Sequence, residues 1–290
     1  MNSQMHAFFL KTGKHVEGMA LLRHCLSRHG APLSGVMKIL GSVGGLFLSL
    51  CVACAAEFDH SHAALDRILK ARVKNERVDY AALKADSKDL DAWLKSAGAV
   101  TEAEFNRWSQ PQQLAFLMNL YNAATLRLIL DNYPLKSIKD IGSVFKGPWK
   151  QEVVPLFGKT ITLDYLEHSI LRKKYTEPRV HFAIVCAAKG CPPLRAEAYV
   201  PDKLNEQLDE QGRIFLGGRE KNRFDSKMGV LFLSPIFKWF SEDFEKKSGS
   251  VTKFVTPFFP PETQKQIQAT RSPDIRYTDY DWSLNEQPKR

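Results

Sequence analysis

Apolar side chains recur at Leu65, Ile68, Leu69 and Val73, which is the spacing of one helical face. Residues 78–80 read as a short extended piece, and Leu90, Trp93 and Leu94 mark a second amphipathic helix ending near Gly98. Ser109 followed by Gln110-Pro111 is an N-cap with proline in the first turn. The helix it opens is expected to reach Asn132, where Tyr133-Pro134 stops it. That helix is apolar on more than one face, from Leu114 to Leu130, so it belongs in the middle of the fold. After it, residues 153–157 and 160–163 predict two strands around the Gly158 turn. Asp164 is placed to cap a helix carrying Leu166, Ile170 and Leu171. Residues 180–186, VHFAIVC, form a continuous β-prone run and predict a buried strand. A helix over 201–217, a strand over 230–233, short helices over 236–244 and 251–259, and a closing strand and turn over 275–282 complete the pattern. With no internal repeat and no long linker, the economical reading of 56–290 is one α+β domain, with helices packed on a mostly antiparallel sheet.

Residues 39–56 stand apart from this alternation, because they carry no charged side chain and follow directly on Lys38. A positive start, an apolar stretch and the small residues Ala53-Cys54-Ala55 are the parts of a secretory signal, with Ala56 as the first mature residue. Two alternatives stay open. Lipidation at Cys54 would make the protein a lipoprotein, whereas a membrane anchor is disfavoured by three glycines and the small-residue end. Signals begin chains, so residues 37–55 are expected to be the signal peptide, with translation starting at Met37 and 1–36 an upstream mis-start or a disordered stretch. The expected location is periplasmic or extracellular. The membrane would be touched only through the signal or a lipid on Cys54.

The formal charge of +9 is unevenly spread, and residues 57–290 hold 36 basic and 31 acidic side chains. Arg219, Lys221 and Arg223 are diluted by Glu220 and Asp225, so the dense basic stripe that nucleic acid requires is missing and no nucleic-acid partner is expected. The oligomeric state is not legible.

Only Cys186 and Cys191 survive signal cleavage, and with His181 and Arg195 they form the densest cluster of chemically capable side chains. Three readings compete. Cys186 could be a thiol nucleophile with His181 as base, its pKa lowered by Lys189 and turn N–H groups. The pair could instead be a disulfide, since a turn closed by Gly190 can bring two Cα atoms to roughly 5.5–6 Å. Or both could simply be buried. Strand alternation would point His181 and Cys186 to opposite faces unless a bulge re-aims one of them. No metal and no cofactor is expected, because one His and two Cys at these spacings miss the usual zinc pattern. Gln112, Asn119 and Asn122 form a polar stripe on the apolar helix, either as ties to neighbouring backbone or as pocket lining. Glu167 and His168, with Arg172 one turn on, offer a carboxylate that could orient an imidazole, or an ion-paired surface.

The phrases NLYNA at 119–123, LDYLEHSILR at 163–172, EPRVHFAIVCAAKGCPPL at 177–194, FLSPIFKWFSEDF at 232–244 and YDWSLN at 280–285 resemble the domain-of-unknown-function 547 family, over about residues 78–285. Members occur among exported bacterial proteins and among plant proteins with added coiled coils. The resemblance implies that Glu167, His181, Cys186 and Cys191 occupy motif positions. It also implies a relation to papain-like or transglutaminase-like thiol hydrolases, although there the nucleophile precedes the histidine and here it follows. On that basis the expected activity is a thiol-dependent hydrolase or acyl transferase acting on a peptide-like substrate. Cys186 would be nucleophile, His181 base and Glu167 orienter, with Asn119, Asn122, Cys191 and Arg195 binding. The alternative is a non-catalytic binding module or envelope scaffold, holding a peptide or a thiol-containing small molecule, with Cys186–Cys191 as a structural disulfide.

Overall fold

The computed structural model describes residues 57–270 and 272–288; the apolar run at 39–56, Cys54 and Met37 lie outside them. Helix α1 (Ala63–Arg72) leads into a two-residue hairpin, β1 (Val73–Lys74) with β2 (Arg77–Val78), and then into α2 (Tyr80–Ala85), α3 (Lys88–Ala99) and α4 (Glu102–Phe105). Helix α5 (Gln110–Asn132) begins as its sequence predicts. The Ser109 side chain accepts the Gln112 N–H while the Gln112 side chain accepts the Ser109 N–H, a reciprocal capping box. Its residues from Leu114 to Leu130 are almost continuously buried, the amides Asn119 and Asn122 among them, which explains why apolar side chains cover more than one face. It is the axis of the larger core, to which its own Phe116 and, from other elements, Tyr80, Leu90 and Trp93 belong.

Strands β3 (Glu152–Leu156) and β4 (Lys159–Thr162) pair antiparallel around Phe157-Gly158, both with positive φ. The next helix starts two residues earlier than its acidic residue suggests. Thr162, not Asp164, is the N-cap of α6 (Leu163–Tyr165), which runs through a π-helical turn (Leu166–Leu171) into α7 (Arg172–Lys174). Residues 180–186 are not a strand: they form the short helix α8 (Val180–Ala183) followed by an extended stretch. The Val180 and His181 N–H groups donate to Glu177 O and Pro178 O and start that turn.

Helix α9 (Leu204–Gly217) carries Leu208, Phe215 and Leu216 inward. Then come β5 (Arg223–Asp225), β6 (Val230–Leu233), α10 (Ile236–Trp239), α11 (Ser241–Ser248), α12 (Val251–Val255), α13 (Pro261–Ala269) and β7 (Asp274–Tyr277). Strand β6 pairs antiparallel with β5 and parallel with β7. These elements enclose a second core rich in phenylalanine, including Phe182, Phe215, Phe237 and Phe244. Helix α8 lies between the two cores, with Val180 and Ala183 in the first and Phe182 in the second.

The architecture is therefore mixed helix and sheet, but among the described residues the strands form three small sheets rather than one mostly antiparallel layer. A papain-like or transglutaminase-like arrangement is not supported. Among the described residues no extended antiparallel sheet backs a helix carrying a nucleophile, and both cysteines sit on non-helical backbone.

Candidate functional site

The polar stripe on α5 spends its amides on backbone. Asn122 Nδ2 donates to Ala183 O at 2.9 Å, and its Oδ1 accepts the Val185 N–H at 3.0 Å. Asn119 holds Tyr199 in the same way, donating to its carbonyl at 2.8 Å and accepting its N–H at 3.0 Å. Both side chains are buried with those bonds complete, so the expectation that they line a pocket gives way to a structural tie. This is also why Ile184 and Val185 can run extended and buried without a neighbouring strand: an asparagine side chain supplies part of what a sheet would.

The three residues expected to form a catalytic triad are dispersed among different partners. Cys186 is bonded to Cys191, with Cα atoms 6.3 Å apart. The Tyr280 hydroxyl lies 3.2 Å from the Cys186 sulfur and donates to the Cys191 sulfur at 3.1 Å, and the Cys186 N–H donates to the latter at 3.0 Å. His181 Nε2 donates instead to Asp243 Oδ2 at 2.8 Å, and its ring stacks on Phe240 at 4.0 Å. Glu167, expected to orient that imidazole, accepts the Tyr121 hydroxyl at 3.1 Å from the π-helical turn. Arg195 pairs with Glu210 on α9 and with Glu197.

Asp243 is the residue that orients His181. The Arg172 guanidinium grips the same carboxylate through Nε at 2.6 Å and NH2 at 3.1 Å. Burial alone would raise the Asp243 carboxyl, but the hydrogen bonds from His181 and Arg172, with their charges, outweigh it and hold the carboxyl well below the usual range. Burial and the nearby Glu167 charge push the Tyr280 hydroxyl well above the ordinary tyrosine value, and the same two causes act on Tyr121. Both phenols therefore stay protonated donors at neutral pH.

The disulfide loop forms a wall of a groove open to solvent, and of the residues expected to be catalytic or binding only Cys191 is among those that line it. It is also lined by Glu76 from the β1–β2 turn and Arg77 at the start of β2, with Glu220 and Lys221 and the tail residues Asp279 and Asp281. Lys221 Nζ donates to Cys191 O at 2.8 Å, and burial pushes its amine below the usual lysine value. The tail packs against the loop so closely that a Cβ on Gly190 would come within 2.9 Å of Asp281 N and the Tyr280 ring.

Residues 105–216 match the family model described as protein of unknown function, DUF547. No curated protein and no solved structure matches the chain. The matched segment contains Asn119, Asn122, Glu167, His181, Cys186, Cys191 and Arg195, whereas Asp243, the partner of His181, and Tyr280, whose hydroxyl meets both sulfurs, lie beyond it. Those two were present among the resembling phrases, in SEDF and YDW, but nothing in their spacing announces a bond to a residue 60 to 90 positions away.

Proposed function

We propose that the domain is an exported, non-catalytic binding module. The polar groove between the Cys186–Cys191 loop, the β1–β2 turn and the tail takes a peptide or peptide-like chain. The observation that carries this reading is the disulfide itself. A sulfur bonded to another sulfur is not a nucleophilic thiolate, and His181, fixed on Asp243, is not available as its base. The groove mixes Arg77, Lys189 and Lys221 with Glu76, Glu220, Asp279 and Asp281, a pattern suited to the alternating donors and acceptors of a polar chain. Export is supported by the apolar run ahead of Ala53-Cys54-Ala55 and by the preference of disulfides for oxidising compartments.

The test is affinity selection from a random peptide library with the full-length protein and its Lys189→Glu/Glu220→Lys variant, which reverses two charges of the groove. Peptides retained by the wild type should bind the variant at least tenfold more weakly and should be recovered uncleaved. Recovery of no peptide, or peptide cleavage that stops on thiol alkylation, would defeat the proposal. Protein isolated from its host should begin at or near Ala56, and an unprocessed chain in the cytoplasm would defeat the export part.

A further inference from the structure

The turn at residues 143–146 holds two large apolar side chains out in water. The Ser143 N–H donates to Lys146 O at 3.0 Å, the Lys146 N–H donates to Ser143 Oγ at 3.2 Å, and Gln151 Nε2 donates to Lys146 O at 2.9 Å. Gly142 closes the base with φ +92°, where a Cβ would stand 2.2 Å from Lys146 O. On this pinned frame Val144 is 99% exposed and Phe145 94% exposed. Single apolar side chains on a surface are ordinary. Two adjacent ones, wholly exposed at the tip of a hydrogen-bonded turn, are a feature that the fold holds outward.

The flanks of the turn are basic. Lys136, Lys139, Lys146 and Lys150 are all exposed. The acids of this stretch are Asp140, which accepts the backbone N–H groups of Lys136 and Ser137, and Glu152, so the lysines outnumber the carboxylates by four to two. Trp149 and Trp282 meet edge to face at 5.8 Å, and Lys139 Nζ sits 3.8 Å over the Trp282 ring, so the lysine and the aromatic pair share one surface.

We propose that this turn docks the domain on an anionic lipid surface. Val144 and Phe145 enter the boundary between headgroups and acyl chains, and the lysines meet the lipid phosphates. A two-residue tip is far smaller than the roughly 1,000 Å² that a stable protein interface needs. A lipid surface needs no matching groove: it accepts apolar side chains at the acyl boundary, favours indole rings at the headgroup level and attracts lysines within a Debye length. The proposal does not depend on what the groove binds.

The test is co-sedimentation of the full-length protein with vesicles of phosphatidylcholine alone and of phosphatidylcholine mixed with phosphatidylglycerol. Wild-type protein should partition to the anionic vesicles at least tenfold more strongly than to the neutral ones in about 0.1 M salt, where the Debye length is about 10 Å. Val144→Ser/Phe145→Ser should weaken that partitioning at least tenfold with an unchanged unfolding midpoint, because neither side chain packs on the fold. Lys146→Glu/Lys150→Glu should abolish the preference for anionic vesicles. The proposal fails if the serine variant sediments like the wild type, which would mean that the apolar run at 39–56 or another segment does the binding. It fails equally if the wild type ignores both vesicles, or if the serine variant instead breaks up a self-association visible in sedimentation velocity.

Discussion

His181 Nε2 stands 2.8 Å from Asp243 Oδ2, and that contact ties the short helix between the two cores to a helix 62 residues later. Arg172 completes the knot from a third helix. Asp243→Asn would leave Arg172 without its counterion and weaken the bond from His181, at a cost of about 2 kcal/mol read from the urea unfolding midpoint. The pH dependence follows from the same carboxylate. Its folded value lies below its unfolded value near 3.8, so its contribution is present above that pH and is lost as pH falls toward the folded value. The variant should lack that part of the acid limb below about pH 4.

Asn122→Leu removes both partners that the extended segment has in that side chain, leaving Ala183 O and Val185 N–H buried and unpaired. The expected loss is about 2–3 kcal/mol, again read from the midpoint. An unchanged midpoint would mean that this segment finds other hydrogen-bond partners.

Trypsin cuts after Lys189, between the two cysteines. A non-reducing digest should therefore yield the peptides of residues 180–189 and 190–195 joined, and reduction should separate them by mass spectrometry. Closing a loop with a sequence separation of 5 restricts the unfolded chain only modestly, so Cys186→Ser/Cys191→Ser should cost about 2 kcal/mol. The same variant should keep the groove's peptide affinity within a few-fold if the disulfide serves only as a brace.

His62 lies among Phe58 and Trp93, and burial, aided by nearby His60, pushes its imidazole down to about 4. The folded value is lower than the unfolded one near 6.5, so the unfolded chain takes up the proton first. Stability should fall as pH drops from about 6.5 to about 4, by about 3 kcal/mol in all. His62→Leu should flatten that stretch of the stability curve in calorimetric scans.

Parts of the helical framework are written locally, while the short helices α2 and α4 carry no pattern long enough to announce them. Ser109 and Pro111 announce α5, the Leu65–Val73 spacing announces α1, and the positive-φ pair Phe157-Gly158 sits where the Gly158 turn was expected. The run VHFAIVC misleads because continuous burial is the same signal in a strand and in a short buried helix. What decides between them is Glu177-Pro178 starting a turn upstream and Asn122 serving the backbone downstream, and the second of these is 61 positions away. The site was legible only as a set of residue types. That Cys186 and Cys191 could bond followed from their spacing, but the partners of His181 and Glu167 are set by packing of α11 and the π-helical turn, which no periodicity in residues 163–186 encodes. The helix over Pro261–Ala269 was missed because its apolar stripe reduces to Ile267.

The tail beyond β7 gives the domain a circular logic. Val78 N–H donates to Asn285 O, Gln287 N–H donates to Val78 O, and the Tyr80 hydroxyl donates to Asn285 Oδ1 at 2.7 Å. On its way the same strand of chain meets Lys136, Ala187, Lys189 and Gly190 through backbone bonds. One of the first strands of the domain thus acquires its outer neighbour from residues beyond β7. Without those residues, the Val78 edge, the disulfide loop and one wall of the groove would all lack the same partner. The groove is in this sense a seam, closed by the act that joins the two ends of the domain, and a single break after Tyr277 would open every part of it at once.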